Sequence, residues 1–131
     1  MSEGVAIVGM AGRFPGAPSI AAFRDLLARG GDAIAELDPS QLAAEGVPEA
    51  LRTDPNYVPA AAILDGIDLF DAGRFGIPSH EADLMDPQQR ILLETARLAL
   101  HEAGIEPGNG DRSIGIFAGA AISTYLLGHL A

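Results

Sequence analysis

The feature that most constrains the fold is a helix start that opens with Asp86-Pro87. Asp86 can accept hydrogen bonds from the first free backbone N–H groups of a helix, and Pro87 suits the first helical position, where no N–H is needed. Gln89, at the third position, can reach back to the cap residue. The pattern predicts a helix that begins after Asp86 and runs to about Ala103, with Gly104 at the C′ position.

The polar residues of this predicted helix lie mainly along one narrow stripe, because they are spaced four, three and four apart: Arg90, Glu94, Arg97 and His101. Most of the remaining circumference is Ile, Leu and Ala. A helix with so little polar surface is predicted to be mostly buried. Burial has to supply most of its stability, since charge pairs along the stripe contribute only about 0.2–0.5 kcal/mol each.

Two short apolar runs, Val5–Val8 and Ser113–Gly119, are typical of strands that are buried on both faces. Between them the sequence predicts a helix that begins after Ser19 and stops at Gly30. The order is strand, helix, a long ordered excursion, helix and strand, which indicates an α/β layered fold with a parallel or mixed central sheet. We expect a further helix to start within Ala120–Leu130.

The long excursion from Gly31 to about Ser79 is broken repeatedly by proline, and Gln41–Leu51 could hold a short helix. The predicted strands and the apolar helix need partners on every side, which an irregular excursion and one amphipathic helix do not supply. A two-stranded sheet is marginal by itself. We therefore expect the chain to be part of a larger fold or to pair with another chain.

Composition excludes several function classes. The 131 residues carry a net charge of −10, with 18 acidic residues against 8 arginines, so we expect no binding to nucleic acid or to an anionic membrane. The chain contains no Cys and therefore no thiol nucleophile or thiolate metal site. No apolar run approaches the roughly 20 residues of a membrane span, and the N-terminus lacks a basic leader, which favours a soluble cytoplasmic protein.

The motifs that could bind a ligand or a metal are each poorly matched. The glycine-rich loop Gly9–Gly16 follows a strand pattern but matches neither the dinucleotide fingerprint nor a Walker loop, which needs Lys. The spacing of Asp65, Asp68 and Asp71 does not fit a calcium loop, and His80 has no second His at ligand spacing. From the residues alone we predict no metal site and no catalytic constellation.

Five segments, taken in order, resemble the N-terminal part of a type I polyketide synthase β-ketoacyl synthase (ketosynthase) domain. They are Val5–Gly16 (VAIVGMAGRFPG), the helix around Phe23, Asp68–Asp71 with Phe75–Ile77, Glu81–Arg90 (EADLMDPQQR), and Gly115–Gly119. The resemblance covers nearly the whole chain. Small departures are Gly12, where many relatives carry a non-catalytic Cys, and Ile77-Pro-Ser-His80 in place of Ile-Ser-Pro-Arg.

The resemblance implies the N-terminal part of a thiolase-like layered α/β/α fold, incomplete in residues 1–131. It also implies a homodimeric domain whose Cys takes an acyl chain from the phosphopantetheine of an acyl carrier protein and condenses it with a malonyl-type unit. That Cys and two assisting His residues lie beyond the part represented here, so no catalytic role falls on this chain. By the resemblance, Ala121, Ile122 and Tyr125 are candidates for the acyl pocket or dimer interface, and core packing is the alternative.

Two hypotheses follow from the resemblance. In the first, the chain is scaffold for a ketosynthase and is active only with the remainder of the domain or a complementing chain. In the second, it is a truncated, non-catalytic docking or structural element of a synthase assembly line. No bound cofactor is expected in this chain under either hypothesis.

Overall fold

The computed structural model describes residues 4–106, 113–123 and 125. They divide into two compact units. We name them the α5 unit (Met1–Gly12 with Gly66–Ala131), after its helix α5 at Pro87–Glu102, and the excursion unit (Arg13–Asp65). Residues 1–3 and 107–112, and most of the helix expected within Ala120–Leu130, lie outside the described part.

In the excursion unit, helix α1 spans Ile20–Ala28, as the sequence predicted. Ser19 caps it by accepting a hydrogen bond from the Ala22 N–H at 3.2 Å. Gly30 adopts a φ of +66°, a left-handed conformation that favours glycine at the end of a helix. Leu26 is buried whereas Leu27 is 60% exposed, so α1 packs through only part of its apolar surface.

The middle of the excursion unit contains four short elements. Strand β1 (Ile34–Glu36) pairs antiparallel with β2 (Ala60–Ala62), and helices α2 (Pro39–Ala44) and α3 (Glu49–Arg52) lie between them in the chain. The stretch Gln41–Leu51, which the sequence suggested could hold a short helix, contains parts of both α2 and α3, with Gly46 between them at a φ of +76°. A full capping box at Asp38 starts α2 earlier than expected.

In the α5 unit, a 3₁₀ turn (Ala72–Phe75) and helix α4 (Ser79–Leu84) precede helix α5 (Pro87–Glu102). Asp86 caps α5 by accepting a hydrogen bond from the Gln88 N–H at 2.7 Å. The predicted start and end of this helix are confirmed. The expected capping box with Gln89 does not form. Instead the side-chain amide of Gln88 lies 3.4 Å from the Asp86 carboxylate.

The surface of α5 differs from the prediction. We expected most of its circumference to be buried, yet Leu92 and Leu98 are 45% and 53% exposed. The residue of α5 that is buried is Arg90, at 7% exposure, although it belongs to the predicted polar stripe. Among the apolar residues of the helix, Ile91, Leu93 and Leu100 are half-buried, so burial of α5 is partial in the described part of the chain.

The two apolar runs that were predicted as buried strands form no strand among the described residues. Val5 is 99% exposed and Phe117 is fully exposed, and neither run belongs to a sheet. The sheet in the described residues is the antiparallel β1–β2 pair instead of a parallel or mixed one. A strand completes its hydrogen bonds on neighbouring strands, so an apolar sequence without such a neighbour does not become a strand.

Candidate functional site

Two of the three predicted site residues lie beside the start of α5. The Ala121 N–H donates a hydrogen bond to the Gln88 Oε1 at 2.9 Å. Tyr125 is half-buried and contacts Arg90, whereas Ile122 is 92% exposed. The structure therefore places Ala121 and Tyr125 against α5, and it leaves the Ile122 side chain on the surface.

The hydroxyl group of Tyr125 has a partner on each side. It accepts a hydrogen bond from Arg90 Nη2 at 2.9 Å and donates one to the Asp83 carbonyl oxygen at 3.1 Å. The Arg90 guanidinium also lies 5.5 Å from the centre of the Tyr125 ring, within the range of a cation–π interaction. Tyr125 is thus joined both to α4 and to α5.

Arg90 directs its guanidinium to neutral oxygens from three parts of the α5 unit. Its Nε and Nη2 donate to the Met85 carbonyl at 3.0 and 2.8 Å, and Nη1 donates to the Asp68 carbonyl at 3.4 Å. Hydrogen bonds to a charged group are stronger than neutral ones and compensate for the burial of the charge. The sequence pattern missed this role because it placed Arg90 on a solvated stripe.

Asp86 is the second buried charged side chain of this site, at 8% exposure. The Ser123 hydroxyl is the largest cause that holds the pKa of Asp86 below its ordinary value, followed by the hydrogen bond from the Gln88 N–H. Ser123 Oγ is itself buried and lacks a hydrogen-bond partner of good geometry among the described residues. The Ser123 hydroxyl thus acts on Asp86 as a nearby dipole rather than through a well-formed hydrogen bond.

A groove of about 520 Å³ lies elsewhere in the α5 unit, between the 3₁₀ turn and the last turns of α5. Its lining mixes both charge signs with apolar groups: Asp71, Arg74, Phe75, Glu94, Arg97, Leu98, His101, Ile105 and Glu106. His101 Nδ1 lies 3.4 Å from the Glu106 carboxylate, an ion pair when the ring is protonated. Because both signs alternate, the groove does not select a ligand of one charge.

The remaining acidic and histidine candidates form no metal site within residues 4–106, 113–123 and 125. Asp71 instead accepts a hydrogen bond from the Arg74 N–H at the start of the 3₁₀ turn. Among the described helices, none is long and apolar enough to cross a membrane.

Comparison with known proteins agrees with the pattern of segments. The sequence profile of the family described as "Beta-ketoacyl synthase, N-terminal domain" matches residues 2–131. The chain belongs to this family. The resemblance predicted from the five segments is therefore confirmed.

Relatives of this beta-ketoacyl synthase N-terminal domain are polyketide synthases. The chain is 47% identical over 126 residues to a phenolphthiocerol/phthiocerol polyketide synthase of Mycobacterium tuberculosis, covering 96% of the chain and 8% of that protein. It is 41% identical over 102 residues to the polyketide synthase PksN of Bacillus subtilis, covering 78% of the chain and 2% of that protein.

Solved ketosynthases confirm the fold class. Ketosynthase twelve of the bacillaene polyketide synthase from Bacillus amyloliquefaciens is 40% identical and aligns with a TM-score of 0.65 over 72% of this chain and 17% of that chain. A module 6 ketosynthase of the Bacillus subtilis bacillaene synthase aligns with a TM-score of 0.60 at 38% identity, over 72% and 16%. The fold is that of a thiolase-like α/β ketosynthase, of which this chain spans a small share.

Proposed function

We propose that residues 1–131 are the N-terminal portion of a polyketide synthase ketosynthase. In the complete domain, an acyl chain passes from the phosphopantetheine of an acyl carrier protein to a Cys thiolate. Loss of CO₂ from a malonyl-type thioester then supplies the carbanion that attacks this acyl group, forms the carbon–carbon bond and releases the thiolate. The observation that carries the proposal is the family match over residues 2–131, at 47% identity to the mycobacterial polyketide synthase.

The contribution of this chain is scaffold and pocket wall rather than bond chemistry. Its sequence has no Cys, so the thiol that takes the acyl chain belongs to the remainder of the domain or to a complementing chain. Ala121, Ile122 and Tyr125 contribute to the acyl pocket or to the interface of a homodimer. The proposal also explains the exposed apolar runs, because Val5 and Phe117 would become covered when the rest of the domain packs on them.

A docking element without catalysis is the second candidate, and the absence of Cys is the observation that favours it. In that case the chain would hold neighbouring modules or a carrier protein through the same exposed apolar surface. The two candidates differ in what the chain does when it is joined to a complementary ketosynthase segment, so a hybrid protein separates them.

The test replaces the matching segment of the mycobacterial ketosynthase by residues 1–131 of this chain, and we call the product the hybrid. Acyl loading and condensation are followed by mass spectrometry of the protein and of the carrier-bound product. We expect the hybrid to load its Cys and to condense. A control hybrid with that Cys changed to Ala should fold but neither load nor elongate.

The 131-residue chain itself should form no stable thioester, since it has no thiol. A hybrid that folds with normal thermal stability and loads its Cys, yet does not condense, would contradict the scaffold role and favour the docking candidate. Stable thioester formation on the 131-residue chain would contradict both.

A further inference from the structure

Arg90 is unusual among the described arginines because it is a buried cation that faces neutral oxygens. It is 7% exposed, and its guanidinium donates to two backbone carbonyls, those of Met85 and Asp68, and to the Tyr125 hydroxyl. A planar guanidinium presents five N–H groups in fixed directions, so it can hold several acceptors in one arrangement. A buried charge that is used in this way fixes the positions of its partners.

The partners of Arg90 come from segments far apart in the chain. Met85 lies at the junction of α4 and α5, Asp68 precedes the 3₁₀ turn, and Tyr125 follows the apolar run that ends at Gly119. The Tyr125 hydroxyl extends the same chain of hydrogen bonds to the Asp83 carbonyl. We name this set of contacts the Arg90–Tyr125 bridge.

A second contact joins the same two parts of the α5 unit. The Ala121 N–H donates to Gln88, two residues before Arg90, so the segment is attached to α5 at Ala121 and again at Tyr125. Ile122 lies between these attachment points in sequence and presents a 92% exposed side chain. Attachments at Ala121 and Tyr125 limit how far the backbone that carries Ile122 can move relative to α5.

We infer that Arg90 is a positioning residue: through the Arg90–Tyr125 bridge it holds Tyr125, and with it Ala121 and Ile122, at the start of α5, and so sets which acyl chain lengths the ketosynthase accepts. The part of this inference that concerns acyl chains rests on the proposed function. The part that concerns position does not, and each part has its own measurement.

The first test measures amide hydrogen exchange at Ala121 in the hybrid and in the 131-residue chain. Arg90→Lys keeps the charge but cannot donate to Met85, Asp68 and Tyr125 together, so we expect exchange at Ala121 to be about fivefold to tenfold faster. The control is Arg97→Lys, the same substitution at an exposed arginine of α5, which should leave this rate unchanged.

Tyr125→Phe serves as a second variant in case Arg90→Lys does not fold. It retains the ring below the guanidinium and removes the hydroxyl that joins Arg90 to the Asp83 carbonyl. We expect about fivefold faster exchange at Ala121, from the loss of one or two hydrogen bonds. The matched control is Tyr57→Phe, since the Tyr57 hydroxyl has no hydrogen bond among the described residues and lies in the excursion unit.

The second test measures kcat/KM of the hybrid for acyl thioesters of increasing chain length. Tyr125→Phe should change the ratio of kcat/KM between the longest and the shortest substrate by about fivefold, through KM more than kcat. Tyr57→Phe should leave this ratio unchanged. A purely structural role would lower kcat/KM by the same factor for all substrates. That result, with unchanged exchange at Ala121, would overturn the inference.

The two tests also separate this inference from the proposed function. If the hybrid folds but does not condense, the proposed function fails, and exchange at Ala121 still decides whether Arg90 positions the segment. If the hybrid condenses and chain-length selectivity is unchanged in both variants, the pocket part of the inference is wrong while the proposed function stands. Rapid exchange at Ala121 in the unsubstituted proteins would also overturn the positioning role.

Discussion

Helix α5 and the apolar run Ser113–Gly119 lie in the same unit, but α5 forms regular secondary structure and the run does not. Both are rich in Ile, Leu, Phe or Ala, but α5 completes its backbone hydrogen bonds within itself, with Asp86 as its cap and Ala103 at its end. The apolar run does not complete its backbone hydrogen bonds within itself, and the side chains of Ile116 and Phe117 are exposed. A helix completes its backbone hydrogen bonds within its own sequence, whereas a strand completes them on a neighbour that these described residues do not provide.

The other apolar run, Val5–Val8, ends at a tight contact with α5. The Met10 N–H donates to the Glu102 carboxylate at 3.3 Å, and a Cβ added to Gly9 would clash with the Ala99 carbonyl oxygen. Glycine is required at this close approach of two backbones. Contact with a formed helix at this end still leaves Val5 and Ile7 exposed, so it does not replace a strand partner.

The largest expected effect comes from a charge placed in the unpaired run. In the 131-residue chain, Ile116→Asp should change the free energy of unfolding by less than about 0.5 kcal/mol, because residue 116 is already in water. In the hybrid, where we propose that the run is buried, the same change should cost about 3 kcal/mol or more. Urea unfolding measures both.

Ile116→Val is the control, and it should cost about 1 kcal/mol in the hybrid, as expected for the loss of one buried methyl group. Equal effects of Ile116→Asp in the two proteins would show that the run stays exposed in both. That outcome would contradict the view that the run Ser113–Gly119, unlike α5, needs a neighbour in order to be buried.

Gly9→Ala probes the close contact between the first apolar run and α5. The new Cβ would meet the Ala99 carbonyl oxygen and the Ala103 nitrogen, both backbone atoms, so α5 or the run must shift. We expect a loss of about 1–3 kcal/mol in unfolding free energy. Gly4→Ala, where nothing lies within 4 Å of the new Cβ, should be neutral, and equal losses for both variants would contradict the contact.

The sequence predicted the features that depend on local interactions and missed those that depend on distant ones. The starts and ends of α1 and α5 depend on nearby caps, such as Ser19 and Asp86, so the sequence alone identified them. The antiparallel pairing of Ile34 with Ala62 joins residues far apart and has no local signal, so it was missed. The apolar patterns that predict buried strands also do not reveal whether a partner strand is present.

The resemblance to the family gave Ala121 and Tyr125 as candidates for the acyl pocket or dimer interface, and that assignment stays a prediction. The segment Glu81–Arg90, which carries Arg90, belongs to the same resemblance. The burial of Arg90 was not predicted, because its acceptors are backbone carbonyls of Met85 and Asp68 and leave no trace in side-chain spacing. A polar stripe along a helix therefore does not distinguish a solvated arginine from one that joins distant segments.

The cap of α5 offers a smaller effect that tests whether the helix depends on its own end. Asp86→Ala removes the acceptor for the Gln88 N–H, and we expect the Tm of the chain to fall by about 3–6 °C. Asp86→Asn keeps an oxygen at the cap and should lose less than half as much. The matched change Asp38→Ala at the cap of α2 should affect a shorter helix and lower Tm less.

If Asp86→Ala and Asp86→Asn lowered Tm equally, capping would not be the cause. The negative charge of Asp86, next to Ser123 and near Arg90, would then be the main contribution. Equal effects of the two alanine variants would instead indicate that helix length does not decide the loss.

The smallest expected effect is a pH dependence that belongs to the capped helices and not to the unpaired run, since Ser113–Gly119 contains no carboxylate. The pKa of Asp86 is held below its ordinary value of 3.8 by Ser123 and by the Gln88 N–H, and that of Asp38 is lowered by the Ser40 hydroxyl and nearby N–H groups. A carboxylate with a lowered pKa in the folded state stabilises the fold above the unfolded pKa. That stabilisation is lost as the pH falls through the folded pKa.

We therefore expect Tm to fall as the pH is lowered from about 5 to below 4. The slope of Tm against pH should be shallower in Asp86→Asn, because this variant has no charge to lose at residue 86. The double variant Asp38→Asn/Asp86→Asn should make the dependence of Tm on pH shallower still, because it removes both carboxylates whose pKa is lowered. An unchanged slope in the double variant would show that other carboxylates govern acid unfolding. A slope lost entirely in Asp86→Asn would place the acid response at the start of α5, next to the Arg90–Tyr125 bridge.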